Sequence, residues 1–169
     1  MGKKHRNVTN ISEVEPRVVS KGTRFGFTGK RLATASGAVS LGCGYFEVEP
    51  GKTAFPNHYH CANEEGIYII EGQGEARIGK DTVTVGPGDY IACPVGPDYS
   101  HSLKNTGKEI LKYLCISTMI TTEVVGYPDS KKLAAVGLVD PVTGPMGAKV
   151  RFIIKEQPSV DYYEGEATD

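Results

Sequence analysis

The sequence predicts an all-β chain folded as one antiparallel sandwich or barrel, and three observations predict it. No stretch of about a dozen residues repeats apolar side chains at i, i+3, i+4 and i+7, so no long amphipathic helix is expected. Gly (21) and Pro (10) make up 31 of the 169 residues, about 18% where average usage gives roughly 12%, and their spread along the chain implies many turns. Short segments rich in Val, Ile, Tyr and Phe recur between those turns.

In chain order the strand candidates are GYFEVEPG, GIYIIEGQG, EARIGKD, DTVTVGPGD, YIACPVG, EILKYLCIST and AKVRFIIK, each bounded by Gly, Pro, Asp or polar residues. EARIGKDTVTVGPGD reads as a hairpin turning at Gly79-Lys80-Asp81 and closing in a second turn at Gly86-Pro87-Gly88. EILKYLCIST is apolar on both parities apart from Lys112, as in a strand covered on both faces. We therefore expect an N-terminal arm and hairpin over residues 1–39, the barrel over 40–125, and a C-terminal extension over 126–169. In that extension the VRFII strand packs on the barrel and the acidic YYEGEATD end is frayed. Residues 1–20 read as an arm, a strand added to a partner's sheet, or a disordered tail. KGTRFGFTGKR, with Lys21, Arg24, Lys30 and Arg31 and no acid, reads as a solvated hairpin or an anion-recognition loop. There is no internal repeat.

A chain of 18.2 kDa fits one domain and can bury enough surface to fold without a metal or disulfide, so any metal would be functional. With 19 basic against 20 acidic residues the chain lacks the charge field of a nucleic-acid binder or a polybasic membrane anchor. A small-molecule ligand is expected. No apolar run approaches the roughly 20 residues of a membrane helix, and MGKKHRNVTNISEVEPRVV carries no apolar stretch behind its basic residues, so a cytoplasmic location is expected. The triplets at Asn7 and Asn10 then carry no glycan. Cys43, Cys61, Cys93 and Cys115 form no CxxC pair and are expected as small buried hydrophobes.

Chemistry concentrates in two stretches. In GKTAFPNHYHCANEEGIYIIEGQG, the period of two on a strand turns His58 and His60 to one face, where one metal can take both, and sends Tyr59 and Cys61 to the other. Glu65 opens the following strand and could supply a third ligand, while Glu64 beside it points away. Taken alone, a His-x-His pair is also compatible with hydrogen-bonded histidines that bind nothing. In GDYIACPVGPDYSHSLKN, a strand ends at Pro94, a turn follows, and His101 and Asn105 enter a new strand.

Together these stretches resemble the two motifs of the cupin superfamily. The first maps onto Gly51, His58, His60, Glu65 and Gly72, the second onto Gly88, Pro94, Gly96, His101 and Asn105. Two spacings depart from the family's: one extra residue lies between Gly51 and His58, and two between Gly96 and His101. Strict spacing would land on Tyr99; His101 is assigned because its distance to Asn105 is right. The resemblance implies an antiparallel double-stranded β-helix, a jelly-roll barrel, with His58, His60, Glu65 and His101 holding one divalent metal. Three imidazoles and a carboxylate suit Zn, Fe, Mn, Ni or Co. Four ligands leave open positions on an octahedral ion for Lewis-acid or oxygen chemistry.

Three functions remain open: an enzyme on a small polar metabolite such as a sugar-phosphate isomerase, an Fe(II)-dependent oxygenase, and a non-catalytic metal- or small-molecule-binding module. A phosphate-reading isomerase needs cations, for which Lys52, Arg77, Lys104 and the Lys21–Arg31 loop are candidates. Phe55, Tyr68, Tyr90 and Tyr99 either line the pocket or pack, and no acid or base beyond the four ligands stands out. The doubly apolar KYLCI strand and the long N-terminal segment lead us to expect a homodimer.

Overall fold

The computed structural model describes residues 5–139 and 147–167. Thirteen strands and one helical turn, α1 (Leu32–Ala35), make up the regular structure of those residues, beside short 3₁₀ turns. The larger sheet runs in the order β1 (Arg17–Lys21), β2 (Phe25–Arg31), β3 (Leu41–Val48), β10 (Leu111–Thr118), β5 (Glu65–Glu71) and β8 (Tyr90–Cys93). A three-stranded sheet orders β7 (Asp81–Val85), β6 (Gly74–Ile78) and β9 (His101–Asn105). A four-stranded sheet orders β13 (Val150–Lys155), β12 (Lys132–Gly137), β11 (Glu123–Tyr127) and the two-residue β4 (Tyr59–His60). Every strand pair is antiparallel. No helix among the described residues is long and apolar enough to cross a membrane.

Alternation sorts each strand between core and outside. On β5, Ile67 and Ile69 are buried while Tyr68 and Ile70 face out. With Val48, Leu111, Tyr113 and Leu103 they form the main apolar core. The doubly apolar EILKYLCIST lies centrally, bonded on one side to β3 and on the other to β5. Asn105 is fully buried and holds the barrel end: its Nδ2 donates to Val48 O (2.7 Å) and Glu109 O (2.8 Å), and its Oδ1 accepts from Gly107 N (2.9 Å). Gly72 sits at φ +86°, and a Cβ there would lie 2.7 Å from Ile110 O, so the turn admits only glycine.

The structure corrects or settles the sequence reading in three places. Cys93 is buried, but Cys61 is exposed, because it follows the two-residue β4 on the side opposite His60. Tyr68, Tyr90 and Tyr99 are exposed and line no interior pocket; Tyr68 and Tyr90 are cross-strand partners on the outer face of β5 and β8. Strand β1 pairs with β2 of its own chain, so residues 17–21 are neither a free arm nor a disordered tail.

Candidate metal centre

Four elements deliver the ligand candidates. His60 is on β4, held in register with Val125 of β11. His58, two residues earlier, is bridged to His101: His58 N donates to His101 O (3.1 Å) and His101 N to His58 O (2.7 Å). Glu65 and His101 open β5 and β9. The two additional residues after Gly96 are taken up by a 3₁₀ turn, Pro97–Tyr99, entered through Gly96 at φ +112°, a backbone region open essentially to glycine. That turn leaves Tyr99 exposed and His101 4% exposed, facing inward.

His58, His60, Glu65 and His101 each offer one ligand atom, and all four atoms lie within 4.8 Å of one another. Glu65 Oε2 is 3.2 Å from His101 Nε2 and 3.6 Å from His60 Nε2. Outside the cluster, His58 Nδ1 lies 2.8 Å from Pro56 O and His101 Nδ1 3.1 Å from Tyr99 O. With the proton on Nδ1 both rings donate to those carbonyls and turn a bare Nε2 inward, the tautomer a metal requires. Both ring nitrogens of His60 are buried without a hydrogen-bond partner. His60 Nε2 faces Glu65 inside an N3O donor set, and a buried nitrogen left unsatisfied there is what a divalent ion would satisfy, so the residues fit such an ion.

Charges in the cluster set its proton affinity. Burial lowers His58 to about 4, with the neighbouring His101 adding to the effect. Burial also opposes charge on His60, but the carboxylates of Glu123 and Glu65 outweigh it and raise His60 to about 9. His101 rises to about 10 against its burial, beside Cys93 and the Glu65 carboxylate. Burial would raise Glu65, yet His101 and His60 hold it well below the carboxylate range. An incoming cation must displace the protons on His60 and His101, so metal affinity rises with pH up to about 9–10 and falls on acidification.

Sequence reasoning missed Glu123 and Tyr127, both on β11. Glu123 is 6% exposed and faces His60 Nδ1 at 3.4 Å. It also accepts from the backbone N–H of Cys61 (3.0 Å), Ala62 (3.0 Å) and Asn63 (2.8 Å), and from Asn63 Nδ2 (2.6 Å). Burial would raise this carboxyl, but His60 and these donors hold it down at about 2. A carboxylate behind a ligating imidazole fixes its orientation and tautomer. The available signal was one acid in the β-branched run TTEVV, where a charge needs a partner. Tyr127 stacks on His58, ring centroids 6.1 Å apart, and burial raises its phenol, keeping it protonated.

The cluster borders a cavity of about 510 Å³ with Phe27, Phe46, Phe55 and Tyr127 in its wall. Arg17, Lys30, Arg31 and Arg151 also line it. Of the cations singled out from sequence, Lys30 and Arg31 therefore reach this cavity, whereas Lys21, Arg24, Lys52, Arg77 and Lys104 do not.

Residues 44–117, the stretch carrying these ligand candidates, match the Cupin domain family. This barrel is a cupin domain. A sugar phosphate isomerase of the cupin superfamily from Silicibacter pomeroyi superposes with a TM-score of 0.74 over 89% of this chain and 93% of that one, at 22% identity. An uncharacterized protein of Methanocaldococcus jannaschii is 38% identical over 60 residues, 36% of this chain and 46% of that protein. The 1-methylthio-D-xylulose 5-phosphate methylsulfurylase of Rhodospirillum rubrum is 33% identical over 73 residues, 43% of this chain and 44% of that protein. The chain spans about half the length of these two curated relatives.

Proposed function

We propose that this cupin is a metal-dependent enzyme that isomerises a small sugar phosphate. The observation that carries the reading is a four-ligand cluster bordering a cavity that also carries cationic side chains. His58, His60, Glu65 and His101 would hold one divalent ion, which when bound supplies Lewis-acid polarisation of a carbonyl or hydroxyl oxygen. Arg17 and Arg151 are exposed and suited to pairing with the phosphate. The Phe27, Phe46 and Phe55 wall excludes water around the sugar carbons. Tyr127, protonated and bordering the cavity, is suited to donate a hydrogen bond to a substrate oxygen. Glu123 keeps the proton of His60 on Nδ1. The names of two related proteins, one a sugar phosphate isomerase and one acting on a xylulose 5-phosphate derivative, agree with this substrate class.

Zn-, Mn- and Co-loaded protein incubated with pentose and hexose phosphates should interconvert aldose and ketose forms, followed by NMR. Arg151→Ala should raise KM about tenfold with kcat nearly unchanged, the loss expected of one charge-assisted contact remote from the reacting carbons. Oxygen consumption by the Fe(II) form would replace the reading with an oxygenase. Saturable thermal stabilisation by a ligand that no metal form turns over would leave a binding module.

We also propose that the cupin is a homodimer. Strand β13 is a sheet edge whose Phe152, Ile153 and Ile154 are about half exposed, an arrangement that invites pairing with a second copy. Sedimentation at micromolar protein should show twice 18.2 kDa; a species of 18.2 kDa alone refutes it.

A further inference from the structure

The strand alternation that turns the histidines inward builds a second pocket behind them. His58 and His101 face the metal centre, and their chain neighbours Asn57 and Ser102 line a separate cavity of about 240 Å³. On β6 and β9, Ala76 and Leu103 are buried in the core while Arg77, Ser102 and Lys104 border this cavity. The segment before β4 runs alongside β9, with Ala54 N donating to Leu103 O (3.1 Å), and Arg24 joins beside it, its carbonyl accepting from Thr53 N (2.9 Å). No lining residue is shared with the larger cavity.

Two features of this pocket lack partners. Asn57 is 5% exposed, and neither its Nδ2 nor its Oδ1 has a hydrogen-bond partner. A buried primary amide with both functions unmet carries a full desolvation penalty, relieved only by a group that both donates and accepts. The second feature is charge. Among the lining side chains, Arg77 is paired with Asp129, its Nη1 donating to both carboxylate oxygens at 2.9 Å. Among the described residues the Lys104 ammonium has no hydrogen-bond or ion-pair partner and the Arg24 guanidinium no carboxylate partner; Arg24 lies over the Phe25 ring, 5.2 Å from its centroid. Glu75 is opposite Lys104 in the β6–β9 register, yet the two form no ion pair within 4 Å. Balanced against Glu75 and Asp129, the three cations leave the lining with one positive charge in excess.

We propose that this pocket binds a small hydroxylated anion, a phosphate ester of a short polyol, with Arg24 and Lys104 on the phosphate and a hydroxyl paired to the Asn57 amide. A hydroxyl donates and accepts at once, which matches the amide, and the phosphate matches the unpaired cations. The volume is below that of sites for drug-sized ligands, so a three-carbon ester suits it better than a nucleotide.

Titration of the EDTA-treated full chain, followed by ¹H–¹⁵N NMR, tests this with glycerol 3-phosphate, inorganic phosphate and glycerol as probes. Glycerol 3-phosphate should shift the Asn57 side-chain amide resonances saturably, phosphate should bind more weakly, and glycerol should not bind. Lys104→Ala and Arg24→Ala should each weaken binding about fivefold. Both side chains are exposed, so the melting temperature should not move. The proposal fails if the Asn57 amide does not respond, if glycerol or inorganic phosphate binds as well as the ester, or if neither substitution weakens binding. It fails equally if Arg151→Ala abolishes binding that Lys104→Ala leaves intact, since the anion then occupies the larger cavity.

Discussion

Replacing His101 with alanine should abolish divalent-metal binding at the candidate centre while leaving the barrel folded. With all four side chains intact the described residues offer one such site, so the protein should carry about one equivalent by element analysis. A four-ligand site in a small domain binds zinc with about 10–16 kcal/mol, so one ligand contributes about 3 kcal/mol and its loss lowers affinity about 100-fold or more. His58→Ala should lose metal to a similar degree, because His58 supplies a second inward nitrogen of the cluster. The control is Tyr99→Phe. Tyr99 is the position that strict cupin spacing selects, yet it is exposed on the 3₁₀ turn, so its phenol can go without effect. Metal lost from Tyr99→Phe but kept by His101→Ala would sink the assignment. Circular dichroism keeps the experiment interpretable, since His101→Ala leaves Glu65 without its 3.2 Å partner. A variant that melts early but retains metal counts against the site, and one that folds without metal supports it.

How far the sequence reached depends on the range of the interactions concerned. The shared face of His58 and His60 and the β6–β7 hairpin were legible because each rests on strand alternation or a local turn, whereas the grouping of Glu65 and His101 with them was legible only through the resemblance to the cupin motifs. The extra residues before His101 were legible as an insertion but not as a shape; the structure resolves them into a 3₁₀ turn behind Gly96. Tyr68 and Tyr90 alternate as any strand residues do, and which parity faces the core is set by partners distant in sequence. Glu123 was invisible for the same reason. Its donors at Cys61, Ala62 and Asn63 are about 60 residues away, and nothing in TTEVV announces that β11 will pair with β4.

Glu123→Ala should therefore damage both the fold and the metal centre, although the residue lies outside both cupin motifs. In the folded chain its carboxylate satisfies three backbone N–H groups and the Asn63 amide, and it faces His60 Nδ1 at 3.4 Å. Truncation leaves the backbone N–H groups of Ala62 and Asn63 to whatever water can enter the loop, while Cys61 N keeps Val124 O (3.0 Å) and Asn63 Nδ2 keeps Ile120 O (3.2 Å), at a cost of about 2 kcal/mol. Metal affinity should fall about 10- to 100-fold, because an imidazole without its outer carboxylate is less basic and freer to turn. The charge matters as well as the shape. With its carboxyl held at about 2, Glu123 contributes stability that is fully present above its unfolded pKa of about 4.3 and is lost as pH falls through that window. Glu123→Gln keeps one acceptor oxygen for the loop but removes the charge behind His60. It should recover much of the melting temperature without recovering metal affinity. Measured with EDTA and with saturating zinc, the metal-dependent rise in melting temperature should shrink in both variants. Wild-type zinc affinity in Glu123→Gln would reduce the carboxylate to a loop clamp with no bearing on the metal.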